Sequence, residues 1–264
     1  MVSFPALQRW NHSGSPPRRL RQPNSNHSRD GTWLTFYANF AQSFGVSNGV
    51  PKPGQPIFAP QKGTQFEGGA KAELFDGRLT ASLAYYDITK SNILRQSLNS
   101  PFSTPIGEAE SRGFEFDLGG RIDENWSVTA TYSHDDARIT KDSDSSGTSG
   151  NKGHRLANVP LDAGSFWVKY DALGELRGLS LGAGVVAVGE RQGNDANDFQ
   201  LPAYARVDVF GIYRLPVPGP QLSIQLNVKN LFDTRYFESS AAFDRYTNLP
   251  GAPRTFLVSL RAEF

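Results

Sequence analysis

The acidic run Asp142-Ser-Asp144-Ser-Ser146-Gly147 has the oxygen donors to open a calcium loop of the EF-hand type. Such a loop needs a bidentate glutamate at its twelfth position, where this chain has Gly153. The run therefore reads as a polar surface loop. His134-Asp135-Asp136 gathers metal-type donors, but adjacent residues of a strand point to opposite faces, so at most two can converge. The four histidines, at positions 12, 27, 134 and 154, show no His-x-x-x-His spacing. Neither a Gly-x-Ser-x-Gly elbow nor a phosphate loop nor a dinucleotide fingerprint is found, so the expectation is no enzyme, no metal site and no bound cofactor. What stands out instead is aromatic. Segment 230–252 carries Tyr236, Phe237, Phe243, Arg245 and Tyr246, the densest aromatic set outside the periodic stretches.

Those periodic stretches alternate with a period of two, the signature of strands with one apolar and one polar face. The last eleven residues are the plainest case. Phe256, Val258, Leu260, Ala262 and Phe264 fall on one side, and Thr255, Leu257, Ser259, Arg261 and Glu263 on the other. Similar alternation recurs at 33–43, 64–74, 78–88, around Phe114–Leu118 and Trp126–Ser133, and at 162–171, 178–189, 203–214 and 221–229. The count is ten strands of about 9–11 residues, the length a tilted strand needs to cross a bilayer. Connections 75–78, 120–124, 172–177 and 215–220 are short, whereas 44–63, 89–108, 135–160, 190–202 and 230–252 are long. Segregating loop length by end is the habit of transmembrane β-barrels. Glu67, Lys71, Glu73, Glu115, Asp117, Arg206, Asp208, Lys229, Arg261 and Glu263 all lie opposite the apolar set, as a polar lumen requires. Trp33 and Trp126 open strands, and Tyr213 and Phe264 close them, at the short-turn end, which suits an aromatic girdle.

Composition agrees. With 27 basic and 26 acidic residues in 264 the net charge is +1, without the basic excess of a nucleic-acid binder. Mean hydropathy is −0.45 and no apolar run suits a membrane helix, a test that barrels escape. Residues 1–29 show neither period nor the basic-then-apolar order of an export signal. Their Pro, Arg, Ser and Asn content reads as disordered and as not the natural start, with residues 30–264 forming the barrel portion.

Several motifs are familiar in combination. Asn227-Val-Lys-Asn-Leu-Phe-Asp-Thr-Arg-Tyr236 resembles the N-x-x-N-L-F-D-x-x-Y segment of TonB-dependent outer-membrane receptors, and Gly251-Ala-Pro-Arg-Thr-Phe256 the G-x-P-R-T that opens their last strand. Ser111-Arg-Gly-Phe-Glu115, Asn158-Val-Pro160 and Leu201-Pro-Ala-Tyr-Ala-Arg-Val-Asp208 match the same family. Arg177-Gly-Leu-Ser-Leu-Gly-Ala-Gly184 and Val188-Gly-Glu-Arg191 are similar to its ferrichrome-type, ferric-hydroxamate members.

The resemblance implies an all-β, antiparallel transmembrane barrel of which this chain holds about ten C-terminal strands out of 22. It also implies an outer-membrane location in a Gram-negative bacterium, a ferric siderophore as transported ligand, and the TonB complex, the lipid and the barrel-insertion machinery as partners. The plug and the TonB-contacting box have no match here. Within the motifs, Asn230, Leu231, Phe232, Asp233, Tyr236, Pro253 and Arg254 are expected to be structural, and Phe264 to be the C-terminal insertion signal. Phe243, Arg245 and Tyr246 are the candidate ligand vestibule. A self-contained ten-stranded barrel (porin, adhesin or surface hydrolase) and a non-functional truncated product stay open as alternatives.

Overall fold

The computed structural model describes residues 33–96, 101–142, 150–241 and 243–264; residues 1–29 and most of the acidic run after Asp142 lie outside them. Ten strands form one antiparallel sheet in which each pairs with its neighbours in the chain. They are β1 (Leu34–Gly45), β2 (Gln61–Leu74), β3 (Leu79–Gln96), β4 (Ser103–Arg121), β5 (Trp126–Asp142), β6 (Asp162–Asp171) and β7 (Leu179–Val188), then β10 (Tyr204–Arg214), β11 (Gln221–Lys229) and β14 (Thr255–Glu263). Two small hairpins sit in the long connections: β8 (Arg191–Gln192) with β9 (Gln200–Leu201), and β12 (Phe237–Ser240) with β13 (Asn248–Pro250). The short turns are built locally. In Phe75–Arg78 the two central residues, Asp76 and Gly77, both have positive φ, as a type I′ hairpin turn needs. In the β4–β5 turn one Asp123 carboxylate oxygen accepts the amides of Asn125 (2.8 Å) and Trp126 (2.7 Å).

Cross-strand register carries one face through the whole sheet. The row Leu34, Ala72, Ala81, Leu118, Ala130, Phe166, Val185, Val207 consists of directly opposed residues. It starts at the short-turn end of β1. By β11 it has reached the long-loop end, where Leu231 donates to the Val207 carbonyl (2.7 Å). A climb of about one residue per strand corresponds to a strand tilt of roughly 35°, within the range of membrane barrels. The neighbouring rows of the same face are equally apolar, and Phe36, Leu83, Phe166 and Leu260 stand exposed on it.

Every charged residue expected on the polar side is found there. That side is electrically uneven. β2–β5 present five carboxylates (Glu67, Glu73, Glu115, Asp117, Asp135) against three cations (Lys71, Lys90, Arg121). β6–β14 reverse the ratio, with Asp171, Asp208 and Glu263 against Lys169, Arg206, Arg214, Lys229 and Arg261.

β3, β4 and β5 run well past the ends that alternation suggests, into stretches expected as loop. The apolar face explains the difference. Its band stops at Tyr85, Phe114 and Tyr132, and the next positions on the same face are Asp87, Arg112 and His134. Asp87 and Arg112 pair with each other (3.0 Å), and beyond them come the ion pairs Arg138–Asp136 (2.9 Å) and Lys141–Glu108 (2.8 Å). Pairs this exposed contribute little stability; they show that both faces are wetted, so the period of two disappears while the backbone ladder continues. At the other end, Trp126 packs on Tyr170 (ring centroids 4.9 Å) on the apolar face, with Tyr213 on the same side. Trp33 instead continues the register opposite Glu73, on the polar side.

The two faces make opposite forecasts for one substitution. Leu83→Arg, at mid-band, is expected to cost about 2–4 kcal/mol and to deplete heat-modifiable protein in the membrane. Ser82→Arg, one residue away beside Asp117, should insert like the wild type. Equal insertion of both variants in a gel-shift assay would refute this assignment of faces.

Candidate functional site

At the end of β11 the chain must leave the wall, make a long excursion and return as β14, and a buried node closes that excursion at its base. Asn230 has φ of 52° and is 1% exposed. Its amide N–H donates to Asp208 Oδ1 (2.7 Å). The side chain donates to the carbonyls of Thr234 (2.9 Å) and Ala252 (3.0 Å) and accepts from the Thr234 amide (2.8 Å). Asp233, also at positive φ, accepts from the Arg254 amide (2.9 Å), and the Arg254 guanidinium reaches back to the Leu231 carbonyl (3.3 Å). Tyr236 lies flat against Gly251, where a Cβ would sit 2.2 Å from its ring. The two motifs around Asn230 and Gly251 are therefore the two halves of one hydrogen-bonded knot. Leu231 is half-buried in it and Phe232 is exposed. Pro253 falls between the Ala252 carbonyl that Asn230 holds and Arg254. Phe264 ends the chain fully exposed beyond β14.

From this knot an aromatic and cationic patch extends over the polar face of the wall. Tyr236 stacks on Tyr204 (4.2 Å) and accepts a hydrogen bond from Arg206 (3.0 Å), which also approaches Asp208 (3.6 Å). Arg191 also lies over the Tyr204 ring (5.5 Å) and is only 3% exposed. Its guanidinium donates to the carbonyls of Phe237 and Glu238 (3.0 Å to the latter), and burial lowers its pKa. Arg191, Tyr204 and Arg206 lie inside the family-like stretches but have no local pattern that marks them, because the patch forms only when β8, β10 and the knot meet.

The aromatic loop projects above the patch as the β12–β13 hairpin. Asp244 orders its tip: one carboxylate oxygen accepts from the amides of Tyr246 (2.8 Å) and Thr247 (2.9 Å). The Tyr246 amide, foremost, holds that carboxyl below its ordinary pKa. Of the three candidate vestibule residues, Phe243 is half-buried at positive φ. Arg245 donates to the Asp198 carbonyl and covers the Phe199 ring (5.8 Å). Tyr246 is 94% exposed. All three share one hairpin tip, with Arg245 braced against the neighbouring loop. His134 and Asp136 share a face, as alternation requires, but His134 bonds Asp162 (2.9 Å) while Asp136 pairs with Arg138. Asp135 points the other way, to Ser111. His154 donates to the Asp195 carbonyl (2.9 Å).

Residues 22–231 match the family model described as TonB dependent receptor-like, beta-barrel. This chain belongs to the TonB-dependent receptor family. The metal-pseudopaline receptor CntO of Pseudomonas aeruginosa is 36% identical over 235 residues, covering 87% of this chain and 31% of the relative. The ferrichrome outer membrane transporter/phage receptor of Escherichia coli K12 is 34% identical over 234 residues, covering 88% and 30%. Among solved structures, BauA, the ferric preacinetobactin receptor of Acinetobacter baumannii, superposes with a TM-score of 0.71 at 26% identity, covering 89% of this chain and 35% of that one. The siderophore receptor PiuA of the same species gives 0.70 at 27%, covering 88% and 34%. The chain thus spans about a third of the length of these TonB-dependent receptors.

Two outcomes follow from the site. Asn230→Ala strands buried backbone groups and places alanine at positive φ, at a cost of about 3 kcal/mol. Asn230→Gly keeps the backbone allowed and should cost less, so equal urea midpoints for the two would contradict strain at the positive φ, and a wild-type midpoint in both would contradict the knot. Asp244 has a depressed pKa in the folded chain, so its contribution is present at neutral pH and is lost as pH falls through that lowered value. Exchange at the Tyr246 and Thr247 amides should accelerate only below the ordinary aspartate value of 3.8. Acceleration starting near pH 6 would exclude Asp244 as the cause.

Proposed function

We propose that this chain is a ten-strand arc of the wall of an outer-membrane receptor that takes up ferric siderophores with energy from the TonB complex. The carrying observation is its kinship, above 30% identity across nearly its whole length, with receptors named for siderophores and metal chelates. The architecture supports it: an apolar band faces lipid, a charged face lines the lumen, and the long-loop end holds a braced aromatic and cationic mouth. β1 and β14 are the two ends of the sheet and do not pair with each other. That favours an arc of a wider cylinder over a self-contained ten-stranded barrel, because free strand edges in hydrocarbon cost several kcal/mol per unpaired group. The chemistry is capture and passage, not catalysis. A ferric chelate of the hydroxamate type has apolar and polar surface together, which tyrosine, phenylalanine and arginine can meet. Phe243, Arg245 and Tyr246 form part of its extracellular vestibule, with Tyr246 making the contact and Arg245 holding the tip in place. TonB acts through parts of the receptor other than this arc.

An antibody to residues 221–264 should detect, in outer membranes of iron-starved cells, a band well above 29.0 kDa that iron starvation induces. A heat-modifiable 29.0 kDa band would overturn the arc reading. In the same membranes, alanine at Phe243, Arg245 and Tyr246 together should weaken binding of a radiolabelled ferric hydroxamate on the order of tenfold. Unchanged affinity would remove these residues from the vestibule.

A further inference from the structure

Three connections meet at the long-loop end: 150–161 between β5 and β6, 189–203 carrying the β8–β9 hairpin, and 230–254 carrying β12–β13. Each is bonded directly to both of the others. The Asn197 side chain donates to the Arg155 carbonyl (2.8 Å) and accepts from the Arg155 amide (2.9 Å), joining the first to the second. The Asn158 side chain does the same with Ser240, donating at 3.0 Å and accepting at 2.8 Å, and joins the first to the third. Arg191, through the carbonyls at the start of β12, and Arg245, through Asp198 and Phe199, join the second to the third. Both asparagines sit at positive φ, 65° for Asn158 and 55° for Asn197, a conformation asparagine adopts more readily than most side chains. Each amide thus satisfies a donor and an acceptor on a foreign backbone, as a strand neighbour would.

We infer that these three loops form a single rigid cap, which opens as one body or stays shut. A triangle of bonds differs from a chain of them. Freeing any one loop breaks its links to both others, so small local openings are not additive but shared. The inner end of the triangle is fixed to the wall, because segment 151–157 continues the ladder of β5: Ile139 donates to the His154 carbonyl (2.9 Å) and Leu156 to the Ala137 carbonyl (2.9 Å). The cap therefore presents Tyr246 in a set position before any ligand arrives. Closure over a ligand is left to other parts of the mouth. This last consequence rests on the proposed uptake function; the rigidity itself rests on the bonds alone.

Hydrogen–deuterium exchange on the native receptor in outer-membrane vesicles, without ligand, tests the cap separately from uptake. In the unsubstituted protein the bonded amides of the three loops should open with a common protection level. Asn158→Gly keeps the backbone conformation and removes only the amide clasp. It should speed exchange on the order of tenfold in segments 191–201 and 237–241, far away in sequence, and leave β10 and β11 unchanged. Acceleration confined to 150–161 would overturn the proposal. So would three unrelated protection levels in the unsubstituted receptor, a reading that stays decisive if the variant fails to insert.

Discussion

Everything in this chain depends on the demand that no backbone N–H or C=O be left without a partner in hydrocarbon. An antiparallel ladder meets that demand only if it is continuous, which is why ten strands follow one another in order with no crossover inside the sheet. The ladder imposes the period of two, and the period fixes which side chains meet lipid. Because the register is carried from strand to strand, a slip of one residue at any pair would turn a whole strand's apolar set into the lumen. The short turns hold the register from below. Phe75–Arg78 does so through its left-handed positions Phe75, Asp76 and Gly77, and the Asp123 turn through a carboxylate that accepts two amides.

Above the apolar band the demand is the same but the means change. Water can satisfy the backbone there, so strands are free to end, and three of them do not. Where the chain departs from the sheet, side chains imitate a missing strand. Asn230 binds Thr234 and Ala252, and Asn158 and Asn197 grip a stretch of main chain on another loop. Arginine does comparable work at longer reach, as Arg191 and Arg254 each hold carbonyls at the edge of the excursion between β11 and β14. The mouth is thus built from amide and guanidinium groups bonded to backbone, with aromatic rings laid over them.

The wall was legible in the sequence because lipid on one side and water on the other force alternation. The ten strands, the short and long connections and the placement of the polar residues all follow from that contrast. The upper halves of β3–β5 were not legible, since Asp87, Arg112, Asp136 and Arg138 share a face with Leu83 and Phe116 and erase the pattern. Trp33 illustrates a smaller failure: its type suggests an interfacial anchor, but its register opposite Glu73 turns it to the polar side. The motif around Asn230 was recognisable by resemblance, yet its physical content was hidden. Its partners, Asp208 and Ala252, lie 22 residues away on either side, and nothing local announces the contact. The loop clasps were invisible for the same reason, made by single asparagines and arginines whose partners are set by tertiary arrangement.

The uneven polar face has an electrical consequence. One flank carries an excess of two negative charges and the other an excess of two positive ones, separated across an arc of wall backed by hydrocarbon. Low-dielectric walls concentrate such a field instead of dissipating it. The polar face of this arc therefore has a transverse polarity, and a negative charge beside it is drawn toward β6–β14, the flank that also bears Tyr204, Tyr236 and Arg206. A neutral group of the same size would feel no such sideways bias.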